Sequence, residues 1–273
     1  MSRIEKAIEK ANKMRQQTGN KPTVAVAPRA ETPVRRSSSD EIPQVPALKP
    51  DNPSLIINRD PTEGAAEEYR KLKSVILEMT QQGTFENTLL VTSDLPAAGK
   101  TLTSLNLALT LAREYDHTVL LVDADLRKPS VHRYLGISPE KGLLQCLTED
   151  YPLEKALVRT GIGKLVVLPA GGVAEDPAEL LASHRMRELV AELKSRYADR
   201  YVIFDTTPLL PFAEASLLAS LVDGVLMVVR ERQTRTSHLE EALELLKAHK
   251  LLGIVYNDAD MSQKMSHYKY YGY

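Results

Sequence analysis

Gly99-Lys100-Thr101 lies between an apolar run ending at Ser93 and a helix-forming stretch, TLTSLNLALTLAREY. That placement suits an anion. The backbone N–H groups of Ala97, Ala98, Gly99, Lys100, Thr101 and Leu102 would converge with the positive end of a helix; Lys100 would add a point charge for the outer phosphates, and the Thr101 hydroxyl would reach Mg²⁺. A helix start capped by Thr101 or Thr103 reads the same way in isolation, and it is the strand-loop-helix context that favours a nucleotide. The full pattern G-x-x-x-x-G-K-[ST] is not met. Asp94 stands at the first glycine position, and Ala97 and Ala98 leave the loop poor in glycine. A carboxylate facing inward would repel phosphates, and a Cβ resists positive φ.

A second apolar run ends in VLLVDADLRKP. Asp123 and Asp125, spaced i and i+2 at the end of a strand, are placed to serve a metal ion and a hydroxyl nucleophile, with Arg127 for phosphate charge. A solvated turn would explain DADLR alone. It fits Asp123 poorly, because four apolar residues precede it and an unpaired carboxylate there is costly. A further run, YVIFDTTP, delivers Asp205, of the type that takes Mg²⁺ directly or through water. Asn257, closing GIVYN, is a candidate hydrogen-bond partner for an adenine edge, though such residues more often only turn the chain. The six histidines show no ligand spacing and read as structural or surface.

At the C-terminus, four of the 11 tyrosines (Tyr268, Tyr270, Tyr271 and Tyr273) fall in the last six residues. A chain end outside any periodic element does not bury rings, so these read as phosphate acceptors, with a sticky contact patch as the plainer alternative.

The elements that must hold these groups follow from pattern. Continuous apolar runs at 89–93, 119–123, 165–169, 201–205, 224–229 and 252–257 alternate with amphipathic stretches such as SHLEEALELLKAHK. Strands buried on both faces and joined by helices make an α/β, doubly wound, mostly parallel sheet, which binds ligands at the carboxyl ends of its strands. Residues 1–18 read as an amphipathic helix for docking to a partner or membrane surface, or as a frayed terminus. Residues 19–60, with seven prolines and RRSSSDE, read as a disordered linker. Residues 61–260 form the expected nucleotide-binding domain and 261–273 the tail.

Lys+Arg 35 against Asp+Glu 36 leaves a net charge of −1, which excludes a generally basic nucleic-acid coat, and no nucleic-acid partner is expected. Cys146 is the only cysteine, which fits a reducing cytoplasm and excludes an internal disulfide. No run of about 18 uncharged apolar residues and no leader-like segment occurs, so export or membrane spanning by this chain is not expected.

Together, the GKT loop, LLVDADLRKP, YVIFDTTP and the tyrosine tail resemble the bacterial tyrosine kinases of exopolysaccharide synthesis. DPAELLAS at 176–183 and LVDGVLMVVRERQT at 221–234 also look like family segments. SRIEKAIEKA and the proline-rich linker look like the exosortase (XrtA)-associated autokinase branch. The resemblance covers most of residues 55–273. It implies a P-loop fold of the MinD/ParA-like type, with ATP and Mg²⁺ as cofactors. Lys100 and Thr101 would hold phosphates and metal; Asp123 would activate the tyrosine hydroxyl, and Asp125 and Asp205 would assist the metal site. The tail would be phosphorylated between subunits of a ring-like homo-oligomer. Glu67, Arg70 and Lys73 match the family's E-x-x-R-x-x-R subunit contact, with Lys73 in place of the last Arg. Lys lacks the bidentate fork of Arg, which would weaken that contact. A separate membrane-spanning polysaccharide chain-length determinant and a tyrosine phosphatase are implied as partners, placing the chain in the cytoplasm, peripheral at the inner membrane. Two other readings compete: a partitioning ATPase, which would carry a lysine at the position of Leu95, and a nucleotide-binding scaffold or adaptor without phosphotransfer.

Overall fold

The structure, a computed structural model, describes residues 46–60, 64–81, 85–114, 117–195 and 200–260. The expected N-terminal helix, the first part of the linker and the tyrosine tail lie outside them. A 3₁₀ turn (Ile56–Asn58) precedes α1 (Gly64–Thr80), β1 (Thr88–Ser93), α2 (Lys100–Leu111) and β2 (Thr118–Asp123). Short helices α3 (Val131–Leu135), α4 (Leu143–Thr148) and α5 (Leu153–Ala156) lead to β3 (Val158–Arg159) and β4 (Leu165–Leu168). Then come α6 (Pro177–Ala182), α7 (His184–Ser195), β5 (Arg200–Asp205), α8 (Glu214–Ala219), β6 (Gly224–Arg230), α9 (Thr236–Leu245) and β7 (Leu251–Asn257).

All six expected runs are strands, and with the additional short β3 they form one seven-stranded sheet ordered β3-β4-β2-β5-β1-β6-β7. Every pairing is parallel except β3 with β4, where a two-residue strand too short to show a period turns back at the edge. The runs are continuous because alternate residues feed opposite faces. In β2, Leu120 and Val122 pack with α7 through Met186, Leu189 and Val190. Val119 and Leu121 pack on the other side with α2 and with Ile76 of α1. Because α2 is covered nearly all round, its first turn is held rigidly against the sheet.

The linker expectation is corrected at its end. Residues 46–60 belong to the folded body, upstream of the boundary expected at 61: Leu55 and Ile56 are buried, and Asn106 of α2 accepts from the Ile56 N–H at 3.0 Å and donates to the Ser54 carbonyl at 3.2 Å. Prolines on either side hid these two anchors, since two apolar residues make no period. If the segment is integral, Leu55→Ala should destabilise the protein by about 2–5 kcal/mol in urea unfolding, whereas a detached linker would tolerate it.

Candidate active site

Parallel register brings the chemistry together. Val91 is paired with Asp205, and Asp205 with Asp123, so the carboxyl ends of β1, β5 and β2 lie side by side. Asp123 and Asp205 have no exposed surface, and Asp125 very little. Asp123 Oδ2 accepts from the N–H groups of Ser130 and Val131, both at 3.1 Å, at the start of α3. Asp205 Oδ1 accepts from the Ser104 hydroxyl at 3.0 Å. The other oxygen of each, Asp123 Oδ1 and Asp205 Oδ2, is buried without a hydrogen-bond partner among the described residues. Asp125 is fully engaged: Oδ2 takes the Lys100 ammonium at 2.9 Å and Oδ1 the Lys128 N–H at 2.9 Å. It therefore holds Lys100 in this geometry.

These carboxylates shift one another. Burial first, then the charge of Asp205, raises Asp123 to about 8, against the two N–H bonds. Burial likewise raises Asp205 to about 6, countered by Lys100 and the hydroxyls of Thr101 and Ser104. Burial opposes the Lys100 charge, but Asp205, Asp125 and Asp123 outweigh it and push its pKa up. Asp205 Oδ2 and the Thr101 hydroxyl are oxygen donors of the kind that would suit Mg²⁺, and Asp123 Oδ1 is a further free oxygen on the neighbouring strand.

The loop 94–99 explains its own departures from pattern. Asp94 is buried and does not line the cavity; its Oδ1 accepts from the Thr234 hydroxyl at 3.2 Å, in the turn after β6. Ala97 has a φ of 65° and Gly99 one of 94°. Only Gly99 must be glycine for space as well, since a Cβ there would lie 2.1 Å from Asn257 Nδ2. The Ala97 conformation costs on the order of 1–2 kcal/mol, and it is held from outside. Arg230 donates to the Ala97 carbonyl at 3.1 Å while pairing with Asp258 at 2.8 Å, and Asn257 Nδ2 donates to the Ala98 carbonyl at 2.8 Å. Asn257, a candidate adenine contact from sequence, thus uses its Nδ2 to hold the loop and is not among the residues lining the cavity.

A cavity of about 890 Å³ opens over this loop. Pro96, Ala97, Gly99, Lys100, Thr101 and Leu102 line one wall; Ala98 does not. Asn52, Ser130, Tyr134 and Phe212 also line the cavity, and none was singled out from sequence because isolated residues of these types carry no spacing signal. Arg127 also lines the cavity. On α1, Glu67 and Arg70 pair with each other at 2.7 Å, and the Lys73 ammonium pairs with Glu114 of the same chain.

Residues 96–252 match the AAA domain family. The chain is 35% identical to the tyrosine-protein kinase YwqD of Bacillus subtilis over 80% of this chain and 91% of that protein. It is 33% identical to the succinoglycan biosynthesis transport protein ExoP of Rhizobium meliloti over 77% of this chain and 27% of that longer protein. Among solved structures, the chimerical protein CapA2B2 superposes with a TM-score of 0.70 at 29% identity, over 78% of this chain and 94% of that one. The septum site-determining protein MinD of Pyrococcus horikoshii shares the fold, with a TM-score of 0.55 at 23% identity over 65% of this chain and 72% of that one.

Two outcomes follow. Because Asp123 and Asp205 bind protons more tightly folded than unfolded, the nucleotide-free, metal-free protein loses stability as pH rises from about 4 to about 8. The Tm advantage of Asp123→Asn over wild type should therefore grow across the upper half of that window, and a flat difference would contradict the raised Asp123. Arg230→Met should weaken nucleotide binding about five-fold in calorimetric titration, a modest figure because the pair is partly exposed.

Proposed function

This chain belongs to the bacterial tyrosine kinase family, and we propose that it is the ATP-dependent autokinase of its own C-terminal cluster, Tyr268, Tyr270, Tyr271 and Tyr273, in the exosortase-associated branch. The observation that carries the site assignment is the side-by-side pair Asp123 and Asp205, each with one buried free oxygen, facing Lys100 at the head of α2. With one free oxygen each, the carboxylates divide the work. Asp205 Oδ2 and the Thr101 hydroxyl would hold Mg²⁺, which would supply positive charge to the ATP phosphates. Loop N–H groups and Lys100 take the outer phosphates. Asp123, fixed through Oδ2 by two N–H donors, offers Oδ1 to the phenol proton. As the phenol oxygen bonds to the γ-phosphorus, the bond to the β–γ bridging oxygen breaks, ADP departs with that electron pair, and the proton ends on Asp123. Positioning and charge stabilisation supply most of the rate.

Likeness to ExoP and to the CapA2B2 chimera supports a place in exopolysaccharide synthesis beside a separate membrane-spanning chain-length determinant, with the chain peripheral at the inner face of the membrane. No helix among the described residues is long and apolar enough to cross a membrane. Assembly into a ring would use Glu67, Arg70 and Lys73, with the Lys73–Glu114 pair exchanged for a neighbour's carboxylate, and a phosphatase would reset the tail.

Incubation with ATP and Mg²⁺ followed by peptide mass spectrometry should place phosphate on Tyr268 to Tyr273, and Lys100→Met and Asp123→Asn should abolish it. An unmodified tail, with and without the cytoplasmic segment of a candidate membrane partner, would sink the autokinase reading. Nucleotide binding in that same sample would then favour a scaffold.

A further inference from the structure

Arg127 lies in the loop after β2 with its side chain 40% exposed, a setting in which a free arginine samples many rotamers. Here it is held on two sides. Its Nε donates to Glu214 Oε1 at 2.6 Å, and its guanidinium carbon lies 4.6 Å from the centre of the Phe212 ring. Glu214, in the first turn of α8, has a completely buried side chain, and its Oε2 has no hydrogen-bond partner among the described residues. A carboxylate so placed is costly unless it faces a cation, and Arg127 is its ion-pair partner.

The geometry of that pairing matters. Among the described residues only Nε is hydrogen-bonded, which leaves both terminal amino groups of the guanidinium for an oxyanion in the cavity that Arg127 and Phe212 line together with Lys100 and Thr101. The segment from Asp205 through Phe212 to Glu214 is a single short connection between β5 and α8. The carboxylate next to the phosphate site and the anchor of Arg127 are therefore fixed to the same piece of chain. Sequence reasoning passed over Glu214, because one acidic residue in PFAEASL reads as a solvated helix start.

We infer that Glu214 is a positioning residue: with Phe212 as platform, it presents the Arg127 fork to the phosphoryl group that the enzyme transfers. This rests on the phosphotransfer reading of the site, and its test does not require transfer to occur. The test uses full-length protein with Mg²⁺ and compares affinities for ADP and for the non-hydrolysable imido analogue of ATP, by calorimetry, in wild type, Arg127→Ala, Glu214→Gln and the double variant. If Glu214 acts through Arg127, each single variant lowers the preference for the analogue over ADP roughly ten-fold. ADP affinity then stays near wild type, and the double variant loses no more than Arg127→Ala alone.

Preference unchanged in Glu214→Gln, equal loss of ADP and analogue affinity, or a further loss in the double variant would each overturn the inference. Should Glu214→Gln fail to bind ADP through misfolding, Phe212→Leu, which leaves the ion pair in place but removes the platform, is read by the same criterion. Wild-type discrimination that depends on Glu214 without any tail phosphorylation would overturn the kinase assignment and leave this inference standing.

Discussion

Asp123, Asp125 and Asp205 are buried within reach of one another at the carboxyl edge of the sheet, and the Lys100 ammonium is packed among them. Three carboxylates there cannot all carry charge cheaply. The protein answers locally in three ways. Lys100 neutralises Asp125, two N–H groups at the start of α3 support Asp123, and proton affinity rises on Asp123 and Asp205. What is left over is one unpartnered oxygen on each of those two residues, which is the same feature that suits them to a divalent cation and a proton. The electrostatic cost of the folded site and its capacity for chemistry are thus one property.

The phosphate loop shows a related economy. Its glycine-poor sequence places a Cβ at Ala97, where the backbone is left-handed, and a carboxylate at Asp94, where phosphates would be repelled. Neither conflict is solved inside the loop. Asp94 is turned to Thr234, and the Ala97 and Ala98 carbonyls are held by Arg230 and Asn257 from the ends of β6 and β7. Loop shape in this chain therefore depends on the far end of the domain, and Asp258, the partner of Arg230, lies only a few residues before the tyrosine tail.

Two of the cations that line the cavity are held by different means. Lys100 is a point charge at a helix start, placed by α2 and drawn in by Asp125. Arg127 is on a loop and has no helix to aim it, so a buried carboxylate and an aromatic face do so instead. Both cations are tied to acidic partners, which keeps them in place before any phosphate arrives.

Much was legible from sequence because the relevant signals are local. Continuous apolar runs announced six strands, GKT after a strand announced an anion site, and carboxylates at strand ends marked the edge where chemistry would lie; Lys100, Thr101, Asp123 and Asp205 do meet there. The tertiary structure alone decided which strands are neighbours, because crossover length permits several orders and only packing of both sheet faces selects one. From that choice came the Asp123–Asp205 adjacency, the commitment of Asp125 to Lys100 and of Asn257 to the loop, and the anchoring of Leu55 and Ile56 beside α2. Glu214 and Arg230 act through partners distant in the chain, and a pairing between distant residues leaves no period or spacing to read; it exists only once the sheet has closed around it.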